Sequence, residues 1–159
     1  MQELAYEIGK LLRDNKLTLG CVESATGGLI ASVITEIPGS SDYFKGAIIS
    51  YSNEAKINLV KVNKETLDKF GAVSPRVAEE MALGGRRVLG VDICLSDTGI
   101  AGPGGATDKK PVGLFYIGLS CEKGTFNRRL NLIGNRSENR KAAAEAVLLW
   151  LKEYLLGAR

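Results

Sequence analysis

The chain alternates between short apolar runs and segments in which apolar residues recur at helical spacing. Residues 2–14 place their apolar positions on one face, which predicts a helix that packs on the core. The run Leu17–Val22 is short and continuously apolar, as in a buried strand. Helical spacing returns at Leu29 and predicts a second helix that reaches about Glu36.

The same alternation continues to the end of the chain. Further strands are predicted at Tyr43–Tyr51 and Val91–Ser96, followed by a hairpin formed by residues 112–121 and 125–133. Further helices are predicted after Ser52 or Asn53, after Asn63 as far as Phe70, from Pro75 to about Leu89, and after Asn135 or Ser137. Helices and strands mix without repeats or linkers. The pattern therefore predicts one α/β domain over residues 1–159, a three-layer α/β/α sandwich with a mixed sheet.

The composition and net charge of the chain limit the classes of molecule that it is expected to bind. With 159 residues, 45% of them apolar, the chain is long enough to bury a real core. Its 21 basic and 18 acidic residues leave a net charge of only +3, and no basic run is long. This balance argues against a nucleic-acid partner.

The sequence also disfavours a membrane span, secretion and a metal site. No apolar run reaches the length of a membrane span, and the first residues lack the features of a signal peptide. Cys21, Cys94 and Cys121 lie far apart in apolar runs, without the spacing of metal ligands. We therefore expect a reduced, cytoplasmic protein without a metal site.

Histidine is absent from the chain. Its absence excludes Ser-His-Asp and Cys-His catalysis within the chain, together with most zinc sites. A nucleophilic serine would therefore need another base. A lysine with a lowered pKa is the usual substitute.

Three polar clusters follow predicted strands, and the first is the turn Glu23–Gly28. We expect Ser24 or Thr26 to cap the helix that follows, because a short hydroxyl satisfies amides that the helix leaves unpaired. The hydroxyl would then lie beside free N–H groups of Gly27 and Gly28 and the positive end of a helix dipole. Such a turn can bind an anion or hold a nucleophile beside an oxyanion hole. From this stretch alone, an ordinary capped turn is the favoured alternative.

The second cluster is Ser50–Lys56, and Lys56 is its candidate base. Most lysines lie on the surface, and that is the simple interpretation of Lys56. If it is instead partly buried beside Ser24, desolvation favours the neutral amine, which can accept the hydroxyl proton. Tyr51 could relay that proton or orient the base, although a tyrosine at a strand end more often only packs.

The third cluster is the loop Asp97–Gly105. It lacks the P-loop pattern and the dinucleotide fingerprint, so it predicts only a ligand loop, one that favours an anion. Arg136 and Arg140 begin the last helix, where a positive charge opposes the dipole unless it has an anionic partner. That partner is a phosphate or carboxylate ligand or, with equal weight, Glu138 or Asp108.

Five segments carry a resemblance to a known family: Glu23–Gly28, Phe44–Lys56, Gly71–Ser74, Thr98–Gly105 and Lys110–Gly113. In order, they are ESATGG, FKGAIISYSNEAK, GAVS, TGIAGPGG and KPVG. The chain resembles the CinA C-terminal domain family, the nicotinamide-nucleotide amidases, over essentially its whole length. Ala47 stands where many relatives have a second glycine, and Ala25 is at a variable position. The resemblance is to the stand-alone form, since some relatives carry a further N-terminal domain similar to molybdopterin-binding proteins.

The resemblance implies hydrolysis of the carboxamide of nicotinamide mononucleotide to nicotinate mononucleotide and ammonia. Ser24 would be the nucleophile and Lys56 the base, with Tyr51 orienting or relaying. Amides around Thr26, Gly27 and Gly28 would bind the oxyanion. The residues expected to hold the ribose phosphate are Ser41, the loop residues Thr98, Gly99, Gly102, Gly104 and Gly105, and one of Arg136 and Arg140. No metal or organic cofactor is implied.

Two other functions stay open at this point. The chain could be a nucleotide-binding or regulatory module that does not turn its ligand over, or it could act on another small amide through the same residues. Because small α/β enzymes of this kind often complete their sites across a subunit contact, we also expect a homo-oligomer, a dimer or trimer.

Overall fold

The computed structural model describes residues 1–157, in which five strands form one mixed sheet of order β2-β1-β3-β4-β5. The strands are β1 (Leu19–Glu23), β2 (Phe44–Ile49), β3 (Ile93–Gly99), β4 (Leu114–Cys121) and β5 (Gly124–Asn131). β1 is central and parallel to both β2 and β3. β4 is antiparallel to β3 and to β5. The predicted mixed sheet with an antiparallel hairpin is confirmed.

Helices cover both faces of this sheet. They are α1 (Gln2–Asp14), α2 (Leu29–Thr35), α3 (Asn53–Val60), α4 (Lys64–Phe70), α5 (Pro75–Leu89) and α6 (Arg136–Leu155), with a short 3-10 helix at Ser40–Asp42. α1, α2 and α6 pack on the face that carries Leu19 and Cys21 of β1. α3, α4 and α5 pack on the opposite face, against Val22. Because successive strand residues point to opposite faces, one strand serves two cores, and the three-layer prediction is confirmed.

Most helix starts follow the expected chemistry. Ser52 and Ser74 accept hydrogen bonds from backbone amides of α3 and α5. Asn135 begins α6 in a reciprocal capping box with Glu138. Gly84 of α5 packs directly on α3, since a Cβ there would lie 1.8 Å from the Val60 carbonyl oxygen.

Two local predictions were wrong, and both concern the region that matters most. Neither Ser24 nor Thr26 caps α2; its N-cap is Gly28, with φ of +108° and no side-chain cap. A different side chain, that of Glu23, takes the amides at this helix start. Strand β3 also runs three residues further than expected, to Gly99, so that Asp97 pairs with Ile117 of β4 rather than lying in a loop.

The parallel arrangement of β1, β2 and β3 gathers the polar clusters. Their carboxyl ends meet at one edge of the sheet, where α/β proteins place their ligands. The Ser24 turn follows β1, the Ser50–Lys56 segment follows β2, and the glycine loop follows β3. Among residues 1–157, no helix has the length and apolar character needed to cross a membrane.

Candidate active site

Ser24 and Lys56 come together at this edge of the sheet. Lys56 Nζ lies 2.9 Å from Ser24 Oγ, although the two residues are 32 positions apart. Lys56 is only 1% exposed and Ser24 6%, so the contact is almost entirely shielded from bulk water. The simple interpretation of Lys56 as a surface lysine therefore does not apply.

The surroundings of the Lys56 amine suit its neutral form. Besides Ser24 Oγ, the nitrogen lies 2.9 Å from the Ser50 carbonyl oxygen and 3.1 Å from that of Tyr51. Carbonyl oxygens can only accept, so they take two N–H groups of the amine. A neutral amine has two N–H groups and one lone pair. In the neutral form the lone pair would face the Ser24 hydroxyl, whereas in the ammonium form the third N–H donates to Ser24 Oγ.

Burial of Lys56 also favours the neutral form of its amine. Desolvation lowers the pKa of Lys56 from 10.5 to about 8, while the Asp97 carboxyl partly opposes the change. A lysine with a pKa near 8 is a free amine in a useful fraction of molecules at neutral pH. The geometry and the charge environment of Lys56 are therefore both those of a general base.

A pocket of about 240 Å³ opens in front of the Ser24 hydroxyl. Its walls come from the segments that follow the three parallel strands, from α3 and α6, and from the loop between α4 and α5: Ser24, Ala25, Tyr51, Lys56, Ala72, Val73, Thr98, Gly99, Ala101 and Arg136. Arg136 supplies a permanent positive charge. Its guanidinium donates to the Gly102 carbonyl oxygen at 2.9 Å and to the Tyr51 hydroxyl at 3.3 Å.

The backbone amides of the turn are mostly engaged already. Thr26 N–H donates to Asp97 Oδ1 at 3.1 Å, Gly27 N–H to the Ser24 carbonyl oxygen at 3.1 Å, and Gly28 N–H to Glu23 Oε1 at 3.0 Å. These three were the expected oxyanion donors, so the arrangement differs from the sequence-based expectation. Within residues 1–157, the N–H of Ala25 has no acceptor, and Ala25 lines the pocket.

Arg136 and Arg140 occupy different environments, although both begin α6. Arg140 lies behind the turn and donates to the carbonyl oxygens of Ala25 and Thr26 at 3.0 and 2.8 Å. Its side chain is thus committed to the backbone, whereas Arg136 faces the pocket. Neither arginine pairs with Glu138 or Asp108, the alternatives left open by the sequence.

Comparison with known proteins agrees with this architecture. A sequence model of the CinA C-terminal domain matches residues 1–155. The chain belongs to the CinA C-terminal domain family. A protein of Halothermothrix orenii named for competence-damage induction is 54% identical over 153 residues, and a CinA-like protein of Nostoc punctiforme is 50% identical over 156 residues. Both alignments cover 96% of this chain, which spans 37% and 38% of the length of these two relatives.

Solved CinA-family structures share the fold over their whole length. The competence/damage inducible protein CihA of Agrobacterium tumefaciens has a TM-score of 0.92 at 37% identity, with 94% of this chain and 92% of that chain covered. The competence damage-inducible protein A of Klebsiella pneumoniae has a TM-score of 0.95 at 29% identity, covering 98% and 96%. The fold described above is therefore the fold of the family.

Of the other residues expected to hold the ribose phosphate, some line the pocket and others lie outside it. Thr98 and Gly99 line the pocket, and Gly102 takes part through its carbonyl oxygen. Gly104 and Gly105 are exposed and lie outside the pocket wall. Ser41 precedes β2 and so lies at the opposite end of that strand from Ser50.

Tyr51 contributes differently from the relay that its sequence position suggested. Its carbonyl oxygen, rather than its hydroxyl, contacts Lys56. The hydroxyl contacts Arg136, and the ring is 62% exposed at the pocket mouth. Tyr51 thus contacts the Lys56 amine through its backbone, while its side chain lies at the pocket mouth.

Sequence reasoning missed Glu23 and Asp97 as members of the site. Both carboxylates are fully buried beneath the Ser24 turn. Their positions inside apolar strands were the available signal, because acidic residues are almost never fully buried unless partnered.

Proposed function

We propose that this CinA domain hydrolyses the carboxamide of nicotinamide mononucleotide to nicotinate mononucleotide and ammonia through an acyl group on Ser24. The observation that carries the reaction type is the buried 2.9 Å contact between Lys56 Nζ and Ser24 Oγ. The substrate is the one that the family resemblance implies. A pocket lined by Arg136 and Lys56 and by no carboxylate is compatible with a nucleotide that carries one phosphate.

Acylation uses the lone pair of Lys56. Ser24 Oγ attacks the carboxamide carbon while its proton moves to Lys56 Nζ, forming a tetrahedral intermediate with a negative oxygen. The Ala25 N–H, the residue after the nucleophile, donates to that oxygen. One such donor typically contributes about 3 kcal/mol to the transition state. Lys56 then passes its proton to the departing nitrogen, the C–N bond breaks and ammonia leaves.

Deacylation reverses the roles with water in place of the serine. Lys56 is again a free amine and removes a proton from water, whose oxygen attacks the acyl carbon. The intermediate collapses, and the proton on Lys56 returns to Ser24 Oγ. The products are a regenerated Ser24–Lys56 pair and the carboxylic acid, which loses its proton to solvent and leaves as the carboxylate, so Lys56 alone can carry each proton transfer within the site.

The phosphate end of the substrate is assigned to Arg136. This guanidinium faces the pocket and is held by the Gly102 carbonyl oxygen and the Tyr51 hydroxyl. It has no carboxylate partner among residues 1–157, so its charge remains available to an anion. The Tyr51 ring lies next to it and offers an apolar face to the substrate.

The direct test is ammonia release from nicotinamide mononucleotide by the wild type, Ser24→Ala and Lys56→Met, in metal-free buffer with a chelator. We expect turnover only in the wild type. Full activity in Ser24→Ala would overturn the nucleophile assignment. Wild-type binding of the nucleotide without turnover would favour a regulatory binding module instead. Faster ammonia release from another small amide would retain the mechanism and change the substrate.

A further inference from the structure

One hydroxyl group lies between two buried carboxyl groups beneath the Ser24 turn. Thr26 Oγ1 is 2.6 Å from Glu23 Oε1 and also hydrogen-bonded to Asp97 Oδ2. All three residues have no measurable exposure, so water does not reach the group from bulk solvent. We call these residues the Glu23–Thr26–Asp97 array.

The number of protons in this array is constrained by its geometry. A threonine hydroxyl has one proton and can donate it to one carboxyl oxygen only. If both carboxyl groups were ionised, the other oxygen would face the lone pairs of the hydroxyl, with a second negative charge nearby and no water. The two contacts are satisfied together only when one carboxyl group carries a proton of its own.

The backbone determines which of the two is the anion. Glu23 accepts hydrogen bonds from the amides of Gly28, Ile30 and Ala31 at 2.9–3.0 Å, at the start of α2. Three amide donors and a helix start stabilise a carboxylate. Asp97 receives fewer and longer backbone bonds, 3.1 Å from Thr26 and 3.3 Å from Ser24. Asp97 is therefore the better place for the proton.

We propose that the array holds one additional proton on Asp97, which donates to Thr26 Oγ1, while Thr26 donates to the Glu23 carboxylate. The chain of donors runs in one direction, from Asp97 to the start of α2. These hydrogen bonds hold the Ser24 turn in place from its buried side, through groups that do not contact the substrate. Glu23, Thr26 and Asp97 are thus positioning residues.

The charge environment of Asp97 agrees with this assignment. Burial, aided by the charge of Glu23, raises the pKa of Asp97 from 3.8 to about 6. The Thr26 hydroxyl would lower this pKa only by donating to Asp97, and in the array its proton goes to Glu23. The other charged or titratable groups around it are Cys21 of β1, Lys56 of α3 and Arg140 of α6, while β4 presents Ile117.

A neutral Asp97 has a consequence for Lys56, which rests on the function proposed above. An anionic Asp97 would raise the pKa of Lys56 and so favour the ammonium form. Below about pH 6 the proton on Asp97 removes this effect, and above that pH the ionised carboxyl group holds the pKa of Lys56 at about 8. The buried array is therefore coupled to Lys56 through charge, and to Ser24 through its backbone N–H.

Two amide substitutions separate this arrangement from its alternatives. Asn at position 97 reproduces the protonated acid, since its N–H can donate to Thr26 and its oxygen can accept from the turn. We expect Asp97→Asn to lower Tm by less than about 3 °C. Glu23→Gln should lower Tm by roughly 5–10 °C, because the NH₂ group of Gln would face backbone N–H groups that need an acceptor. Equal losses, or a larger loss in Asp97→Asn, would overturn the assignment.

A spectroscopic measurement on the wild type keeps the proposal testable even if Glu23→Gln fails to fold. The carboxyl carbon of Asp97, followed by ¹³C NMR and assigned with Asp97→Asn, is expected in its protonated form at pH 5, with a titration midpoint of about 6. Because Asp97 is ionised in the range where Lys56 titrates, the titration midpoint of Lys56 is expected to be lower in Asp97→Asn than in the wild type. An Asp97 carboxyl group that is already ionised at pH 5 would refute the proposal. None of these readouts depends on ammonia release, so they remain informative if the substrate assignment fails.

Discussion

The two sides of the Ser24 turn differ in how completely their polar groups are paired. On the side facing the pocket, the Ser24 hydroxyl meets a single amine, and the Ala25 N–H has no acceptor among residues 1–157. On the buried side, Glu23 and Asp97 take five backbone amides between them, besides the Thr26 hydroxyl.

This difference shows how a short turn combines rigidity with reactivity. The saturated side fixes the backbone, because every one of its donors already has an acceptor. On the pocket side, the Ser24 hydroxyl and the Ala25 N–H remain available to a substrate, and both are in position before the substrate binds. Groups held in place in advance stabilise a transition state without having to reorganise during the reaction. The turn therefore has a structural face and a chemical face, and each can be disrupted separately.

Ser24→Ala removes the reactive group of the chemical face and has the largest expected effect. Ammonia release should fall at least ~10⁴-fold, as when a serine nucleophile is deleted from other enzymes, while Tm changes little. Ser32→Ala is the matched control, an exposed serine on α2 just after the same turn. Retained turnover in Ser24→Ala would place the chemistry elsewhere.

Lys56→Met should reduce ammonia release by about 10³-fold or more, because no other group lies in position to take the serine proton. Lys56→Arg should be nearly as inactive, since a guanidinium does not lose its proton in this pH range. Lys61→Met, which changes an exposed lysine at the end of α3, provides the control. Substantial turnover in Lys56→Arg would exclude Lys56 as the general base.

Arg136→Met tests the pocket side without touching the reacting atoms. Loss of a charge-assisted phosphate contact should raise KM by roughly 10–100-fold and leave kcat within a few fold. The effect should disappear for nicotinamide riboside, which lacks the phosphate. Arg129→Met, on exposed β5, is the control. A fall in kcat at constant KM would instead assign Arg136 to the chemical step.

The structural face should be visible in the pH dependence of stability. Because the folded-state pKa of Asp97 is about 6 against 3.8 in its unperturbed state, the folded chain binds the extra proton between these values. Asp97 therefore contributes a loss of stability as pH rises from about 4 to 6, at most about 3 kcal/mol. Urea unfolding across this range should show the slope in the wild type and not in Asp97→Asn. The same slope in both would disprove the buried proton.

The smallest effect is expected from Arg140→Lys. The guanidinium holds two carbonyl oxygens of the turn, and a lysine amine can reach only one of them well. We expect a loss of about 1 kcal/mol in unfolding free energy and a moderate fall in kcat with KM unchanged. Unlike Arg136→Met, this variant should behave the same with the riboside. A phosphate-dependent KM effect would reverse the roles assigned to the two arginines.

Much of the fold could be predicted because local patterns determine it. The apolar run of β1 and the caps at Ser74 and Asn135 were sufficient to place elements along the chain. The absence of histidine, together with Lys56 one turn into the short helix after a strand, directed attention to a serine–lysine pair. These inferences depend on periodicity and on residue chemistry, which sequence displays directly.

The buried side of the turn could not be predicted in the same way. Glu23 takes the amides that Ser24 or Thr26 was expected to cap, and its carboxylate reaches as far as Ala31. Asp97 lies 71 positions from Thr26, so their contact depends on the pairing of β1 with β3. Long-range polar contacts of this kind depend on the sheet register, and neither composition nor spacing reveals them.

The most direct test of the central claim is the titration of Lys56 itself. With ¹³C-labelled lysine, the Lys56 resonance, assigned by its loss in Lys56→Arg, can be followed by NMR between pH 6 and pH 11. The structure predicts a pKa of about 8, caused by burial, and hence a free amine in a useful fraction of molecules near neutral pH. Titration at the ordinary value of 10.5 would show that Lys56 is charged under these conditions, and the serine–lysine mechanism would have no base.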